Sequence, residues 1–167
     1  MTNEGQYYDY SWRWITLPNV LTHYQVYIYQ FGVFNGTSII QIANILKQNN
    51  IDSAKIFGFD SFCGNPEETR EKLTNQEWVC GSWNIQKRLN INDIDKCVTI
   101  TYEKIKNKIP DRYSVEFIIG WFNELKDDII HNYNMKPAFY IDIDCDLYSS
   151  AYDALDFMFR NKLVKIG

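Results

Sequence analysis

The chain has 167 residues, of which 46% are hydrophobic and 23% are charged, a composition typical of a single globular domain over 1–167. The net charge of −4 and the pI near 5.2 argue against a broad nucleic-acid-binding surface. No apolar run approaches the roughly 18 residues of a membrane span, and residues 1–19 lack the basic start and apolar centre of a signal peptide, so we expect no membrane partner.

Helix-like and strand-like patterns alternate along the sequence. Residues 1–25 form a lead-in, and the apolar spacing over 8–23 predicts one amphipathic helix or two short helices separated near Pro18. Further along, β-branched and aromatic runs predict strands, and periodic apolar positions predict the helices between them. The predicted strands cover residues 26–31, 55–59, 115–119 and 138–142, and the predicted helices cover residues 37–48, 83–90, 95–108, 122–132 and 150–162.

Strands that alternate with helices are typical of an α/β fold with a parallel sheet. We therefore predict a Rossmann-like, doubly wound, mostly parallel sheet, with a polar segment at residues 63–82 as its one long interruption. Such sheets bind ligands beyond the carboxyl ends of their strands. The residues that follow the four predicted strands are therefore the candidates for function.

A glycine turn follows the first predicted strand. Gln30 ends the strand, and Gly32 and Gly36 then precede the first turn of a helix. Glycines let a ligand approach the backbone closely, and the free amides of a helix's first turn face that ligand. The G-x-x-x-G spacing differs from the dinucleotide pattern G-x-G-x-x-G and so favours S-adenosylmethionine (SAM) over NAD. A tight turn without a ligand is the alternative interpretation.

Polar and aromatic residues follow the second and third predicted strands. Asp60 suits the two hydroxyls of a ribose, because a carboxylate accepts several hydrogen bonds. Gly120, Trp121 and Phe122 suit a flat wall for an adenine ring. Asp60 as a turn or helix-cap residue, and the two aromatic residues as part of the core, are the alternatives.

Three aspartates alternate at the end of the fourth predicted strand. Asp142, Asp144 and Asp146 would repel one another on a buried strand, and a hard divalent cation such as Mg²⁺ would relieve that repulsion through oxygen ligands. If this run has left the sheet, the carboxylates are simply solvated.

The cysteines and histidines indicate no transition-metal site. The chain has four cysteines without C-x-x-C spacing and only two histidines. These counts disfavour zinc and predict free thiols in a reducing, cytoplasmic setting.

Four short sequence segments together resemble the motifs of one enzyme family. The resemblance lies in the phrases Gln30-Phe-Gly-Val-Phe-Asn-Gly-Thr-Ser38, Phe57-Gly-Phe-Asp-Ser-Phe-Cys-Gly-Asn-Pro66, Gly120-Trp-Phe122 and Ile143-Asp-Cys-Asp-Leu-Tyr-Ser-Ser150. They are similar to the motifs of class I SAM-dependent methyltransferases related to macrocin O-methyltransferase, and the likeness runs from about Val26 to Gly167.

The resemblance implies a role for each matching residue near the cofactor. Gly32 and Gly36 would frame the methionine end of SAM, with Ser38 near its carboxylate. Asp60 would hold the ribose hydroxyls. The remaining cofactor-binding positions implied by the family are Gln30 beside the amine, Ser61 and Phe62 beside the adenosine, and Gly120 and Trp121 beside the adenine.

The resemblance also implies a reaction. Asp144 matches the aspartate that binds Mg²⁺ near the acceptor hydroxyl, and Asp146 would support that metal site. The expected reaction is an in-line attack of a substrate oxygen on the sulfonium methyl group, assisted by Mg²⁺. The acceptor would be a small hydroxylated, sugar-like molecule.

Two departures from the family open other interpretations. Gln30 stands where the family has a glutamate, so it brings no charge to the SAM amine. The chain also ends where the family continues into a fifth strand with further metal ligands, so we expect about four of seven strands, with the fourth as an exposed edge that could pair with another copy. A catalytically inactive SAM-binding or interaction module is therefore the main alternative, and a nucleotide-sugar or dinucleotide binder is a third.

Overall fold

A computed structural model describes residues 24–73 and 76–165. The predicted lead-in helix over 8–23 lies outside these residues. The strands are β1 (Gln25–Phe31), β2 (Ser53–Asp60), β3 (Tyr113–Ile119) and β4 (Tyr140–Ile143). The helices are α1 (Thr37–Gln48), α2 (Ile85–Leu89), α3 (Ile94–Lys106), α4 (Ile129–Asn132) and α5 (Tyr148–Arg160), with short 3-10 turns at Gln76–Trp78 and Phe122–Glu124.

The four described strands form one parallel sheet in the order β3-β2-β1-β4. In register, Ile28 of β1 lies between Ile56 of β2 and Tyr140 of β4. This confirms the predicted α/β fold and its parallel sheet. In the described part of the chain β4 pairs only with β1, so the fourth strand is an edge, as predicted.

Both faces of the sheet are buried, which explains why the strands read as nearly continuous apolar runs. One face presents Ile28 and Ile56 to α1 and α3. The other face carries stacked aromatic rings, with the centroids of Phe31 and Phe59 4.4 Å apart, beneath Phe157 of α5. The two faces hold the strand ends rigidly beside one another.

The predicted helix over 122–132 is the least accurate of the sequence predictions. The structure divides it into the 3-10 turn Phe122–Glu124 and the short helix α4. Between them Asp127 accepts hydrogen bonds from the side chains of Arg160 and Asn161, 3.1 and 3.0 Å away. These contacts with the end of α5 hold the segment in a turn.

The second, third and fourth strands each begin about two residues away from the predicted start. β3 begins at Tyr113, whose buried hydroxyl donates to Ile51 O at 2.6 Å. β4 begins at Tyr140, because Ala138 N donates instead to Leu163 O at 2.7 Å. Within the described ranges, no helix is both long and apolar enough to cross a lipid bilayer.

Candidate functional site

The carboxyl ends of all four strands meet beneath one open cleft of about 1960 Å³. Backbone bonds fix these ends to one another. Asp144 N donates to Phe31 O at 2.9 Å, and Gly32 N donates to Phe59 O at 2.9 Å. A third backbone hydrogen bond of this kind runs from Gly120 N to Asp60 O, at 3.1 Å. The floor of the cleft is therefore built from the residues that follow the strands.

The two glycines of the first turn serve different packing needs. Gly32 has φ +93°, and a Cβ there would lie only 2.0 Å from the backbone oxygen of Asp144. Gly32 therefore lets the β4 end approach the loop. Gly36 has φ +74° and packs against α3, since a Cβ there would lie 2.6 Å from Ile105 Cδ1. Gly32 lines the cleft, whereas Gly36 is buried behind it.

Asp60 joins the loops that follow β1 and β2. Its Oδ2 accepts hydrogen bonds from the backbone amides of Val33 and Phe34, both at 2.7 Å. Its Oδ1 accepts from the amide of Phe62 at 2.7 Å. A carboxylate has about four acceptor positions, so three amides leave room for about one further donor. Asp60 also lines the cleft, where that position can meet a ligand hydroxyl.

Gln30 is fully buried and does not line the cleft. Its amide nitrogen donates to Gly32 O at 3.0 Å and to the hydroxyl of Ser38, which itself lines the cleft. Its Oε1 has no hydrogen-bond partner among the described residues. Gln30 thus ties β1 to the first turn of α1 and leaves one buried acceptor behind the glycine loop.

Of the residues predicted to lie beside the adenosine of SAM, three line the cleft and one belongs to the hydrophobic core. Ser61, Gly120 and Trp121 line the cleft. Gly120 has φ +148° and open space where a Cβ would stand. Phe62 instead has φ +56°, is buried and packs on Phe117 with ring centroids 5.4 Å apart.

The three aspartates after β4 occupy different environments. Asp142 is buried in the sheet, where Tyr140 donates to its Oδ1 at 3.4 Å. Asp144 and Asp146 line the cleft with exposed surface. Burial within the cleft wall and the nearby Asp144 raise the pKa of Asp146, while a hydrogen bond from Asn65 acts in the opposite direction.

Cys145 lies between Asp144 and Asp146 and also lines the cleft. Burial raises the pKa of its thiol to about 12, and the surrounding carboxylates act in the same direction. This side of the cleft is therefore negative and would favour a cation. Among the described residues, no group of three or more His, Cys, Asp or Glu side chains is arranged to hold a metal ion. All four cysteines are free thiols, as the sequence predicts.

The segment that joins β2 to α2 covers one side of the cleft, and the sequence identified it only as polar. Asn65 N donates to Ser82 O at 2.7 Å, and Gly81 N donates to Asn65 O at 2.8 Å, so the segment folds back on itself. Asn84 Nδ2 donates to Cys63 O at 2.8 Å and closes the base of this fold. Paired glycines and asparagines in a long connection are the sequence signal that indicates this arrangement.

The same segment contacts the start of α5. Glu68 Oε2 accepts from Ser149 N at 3.0 Å, and its Oε1 accepts from Arg70 N at 2.7 Å. Desolvation opposes ionisation of Glu68, but these amide donors outweigh it and lower the pKa of the carboxyl. Arg70 pairs with Asp153 at 3.2 Å and lies 3.9 Å from the centroid of the Tyr152 ring. The segment thereby connects the two sides of the cleft.

A parallel sheet, a glycine loop after its first strand and a cleft over all four strand ends define a Rossmann-like domain of the methyltransferase type. Two solved structures show this fold: calicheamicin methyltransferase CalS11, with TM-score 0.57 and 17% identity, and the O-methyltransferase NovP, with TM-score 0.52 and 19% identity. The matches cover 81% and 80% of this chain but 53% and 51% of those chains. The chain thus spans about half their length.

The sequence pattern of the macrocin O-methyltransferase (TylF) family matches residues 25–167. The chain belongs to this family. No curated protein sequence gave a significant match. The family match confirms the resemblance that was drawn from the four strand-end phrases.

Proposed function

We propose that this chain binds SAM in the cleft and forms the cofactor-binding part of an O-methyltransferase that acts on a small hydroxylated, sugar-like molecule. One observation carries the proposal: the strand ends bring Gly32, Ser38, Asp60 and Gly120 to one cleft that also holds Asp144. The family to which the chain belongs is consistent with it.

The residues of the cleft fit the parts of SAM in separate ways. The acceptor position left on Asp60 would take a ribose hydroxyl, and Trp121 would border the adenine. Ser38 in the first turn of α1 would face the carboxylate, where helix amides favour a negative charge. When bound, SAM supplies an electrophilic methyl group, and the cleft would orient the acceptor hydroxyl toward it.

We further propose that Mg²⁺ is held by Asp144 and Asp146, which both line the cleft on its negative side. Mg²⁺ is commonly bound by one or two carboxylates together with water and substrate oxygens, so two aspartates are sufficient ligands. The ion would lower the pKa of an acceptor hydroxyl.

A methyl-transfer screen with labelled SAM tests both parts of this proposal. Hydroxylated sugars and glycosides are offered with Mg²⁺ and with EDTA, and Asp144→Ala is compared with Asp156→Ala, an exposed acid on the outer side of α5. We expect Mg²⁺-dependent transfer that Asp144→Ala abolishes and Asp156→Ala preserves. Equal turnover in both variants would refute the metal role of Asp144.

A SAM-binding module without catalysis is the second candidate, because Gln30 is neutral and buried where a charged partner of the SAM amine would be expected. Under this alternative, SAM binds but no acceptor is methylated in any metal condition. The same screen, with SAM affinity measured on the same sample, separates the two candidates.

We also propose a cytoplasmic protein that associates with itself through the β4 edge. The free thiols suit a reducing compartment. The helix α5, which follows β4 in the chain, exposes four large apolar side chains at helical spacing, Tyr148, Tyr152, Leu155 and Phe159. Sedimentation of the chain and of Phe159→Glu tests this association: we expect a dimer that the substitution dissociates, and a monomer in both samples would contradict it.

A further inference from the structure

Helix α3 contacts the loop between β1 and α1 through two adjacent residues, Lys104 and Ile105. Lys104 Nζ donates to Asn35 O at 2.7 Å and to the hydroxyl of Thr37 at 3.2 Å. Ile105 packs against Gly36, where a Cβ would lie 2.6 Å from the Cδ1 of that isoleucine. The loop is therefore held by a lysine that lies 69 residues from Asn35 in the chain.

The Lys104 ammonium completes a small hydrogen-bond network in this loop. Asn35 Oδ1 accepts from Thr37 N at 3.1 Å and from the Thr37 hydroxyl at 2.7 Å. A hydroxyl has one hydrogen, so a hydroxyl that donates to Asn35 can still accept from Lys104. Gly36, between the two loop residues, is the N-cap of α1 and provides no side-chain cap. The network therefore supplies the side-chain contacts that hold the first turn of α1.

The usual roles of a lysine do not account for the place of the Lys104 ammonium. Lys104 lies in the last turn of α3, where a cation favours the carboxyl end of its own helix, yet its Nζ contacts the start of α1. It takes no part in the salt bridges between described residues. Burial lowers the pKa of Lys104, so the two hydrogen bonds to the loop offset a desolvation cost.

The residues that Lys104 holds belong to the cleft, although Lys104 itself does not line it. Asn35, Thr37 and Ser38 all line the cleft. The carboxylate of Asp60 fixes the earlier half of the same loop through two backbone amides. Lys104 fixes the later half, which leads directly into the turn of α1 that contains Ser38.

We propose that Lys104 is a positioning residue for the amino-acid end of SAM. It acts through Asn35 and Thr37, because it holds the first turn of α1 in the conformation that presents Ser38 to the cofactor carboxylate. This inference rests on the proposed function, which assigns that turn to SAM. Asp60, which would meet the ribose, makes its own contacts with the loop. The contribution of Lys104 is therefore confined to ligands that have the amino-acid end.

Calorimetric titration of the full chain with S-adenosylhomocysteine and with 5′-methylthioadenosine tests this role. The two ligands share the adenosine and the sulfur, and only the first has the amino-acid end. Lys104→Met removes two charged hydrogen bonds from the turn, so it should weaken binding of S-adenosylhomocysteine on the order of tenfold and leave 5′-methylthioadenosine unchanged. Lys96→Met, at an exposed lysine near the start of α3, is the control and should change neither affinity.

A conservative variant separates positioning from a general loss of structure. Lys104→Arg keeps a positive donor and should recover most of the affinity for S-adenosylhomocysteine. Equal weakening of both ligands in Lys104→Met would show a general structural role and overturn the inference, as would native affinity for S-adenosylhomocysteine. Lys104→Gln, which keeps only a neutral donor, should show the same ligand preference and replaces Lys104→Met if that variant does not fold.

Hydrogen exchange of the ligand-free chain keeps this inference distinguishable from the proposed function. Thr37 N should exchange faster in Lys104→Met than in the native chain or in Lys96→Met. If the native chain binds neither ligand, the proposed function is refuted, and the exchange rate alone decides whether Lys104 holds the turn. Native binding of S-adenosylhomocysteine with unchanged exchange at Thr37 N in Lys104→Met would refute only the role of Lys104.

Discussion

The two sides of the cleft are built in different ways. On the β1–β2 side, Asp60 accepts three backbone amides and Gln30 bonds to the loop and to α1, so the polar groups are largely engaged within the protein. On the β4–α5 side, Asp144 and Asp146 are exposed to the cleft, and large apolar side chains of α5 face outward.

The two sides of the cleft therefore differ in how far the protein itself fixes their polar groups. A loop that is held by its own hydrogen bonds is ready to receive a cofactor with little ordering cost. The β4–α5 side instead presents Asp144 and Asp146 to the cleft, and within the described residues β4 pairs only with β1.

Gly32→Ala should produce the largest effect, because the loop meets the β4 end through the backbone of this residue. A methyl group 2.0 Å from Asp144 O, combined with φ +93°, should cost about 4 kcal/mol of unfolding free energy. Gly120→Ala is the matched control, since it also has positive φ but open space around it, and should cost about 1 kcal/mol. Urea denaturation of both variants measures the difference, and similar losses would contradict the close approach of the two strand ends.

Asp60→Ala should have the next largest effect, because it leaves the amides of Val33, Phe34 and Phe62 without their acceptor. We expect a loss of about 3 kcal/mol in unfolding free energy and much weaker SAM binding. Asp60→Asn retains one acceptor oxygen and should lose less unfolding free energy than Asp60→Ala. If Asp60→Ala is as stable as the native chain, the carboxylate does not hold the loops together. If it binds SAM with native affinity, the ribose assignment is wrong.

Arg70→Gln should have a small effect, because it removes a half-exposed link between the two sides of the cleft. The pair with Asp153 and the contact with Tyr152 should together contribute about 1 kcal/mol, less at high salt. Arg160→Gln, which removes exposed pairs on the outer surface, is the control. Hydrogen exchange should show faster exchange at Ser149 N in Arg70→Gln only, and equal exchange in both variants would argue against the link.

The strands and the cleft residues at their ends could be predicted from sequence because hydrophobic periodicity and glycine spacing are local. The apolar and aromatic runs at residues 26–31 and 55–59, with the residues that follow them, place Gly32 and Asp60 correctly beside the cleft. The predicted helix over 122–132 was wrong in extent because Asp127 bonds to side chains at the end of α5, a contact between distant residues.

The roles of individual polar groups were harder to predict than their positions. Nothing in the local sequence shows that three amides converge on Asp60, that Gln30 turns inward, or that Asp142 is buried while Asp144 faces the cleft. Each of these depends on loops that are brought together by the sheet.

Calorimetry with SAM, S-adenosylhomocysteine and NAD tests the central claim most directly, because all three contain adenosine and only the first two share the amino-acid end. With a sample shown to be folded by circular dichroism, we predict binding of SAM and S-adenosylhomocysteine and none of NAD. If neither SAM nor S-adenosylhomocysteine binds, the assignment of the cleft to SAM is contradicted.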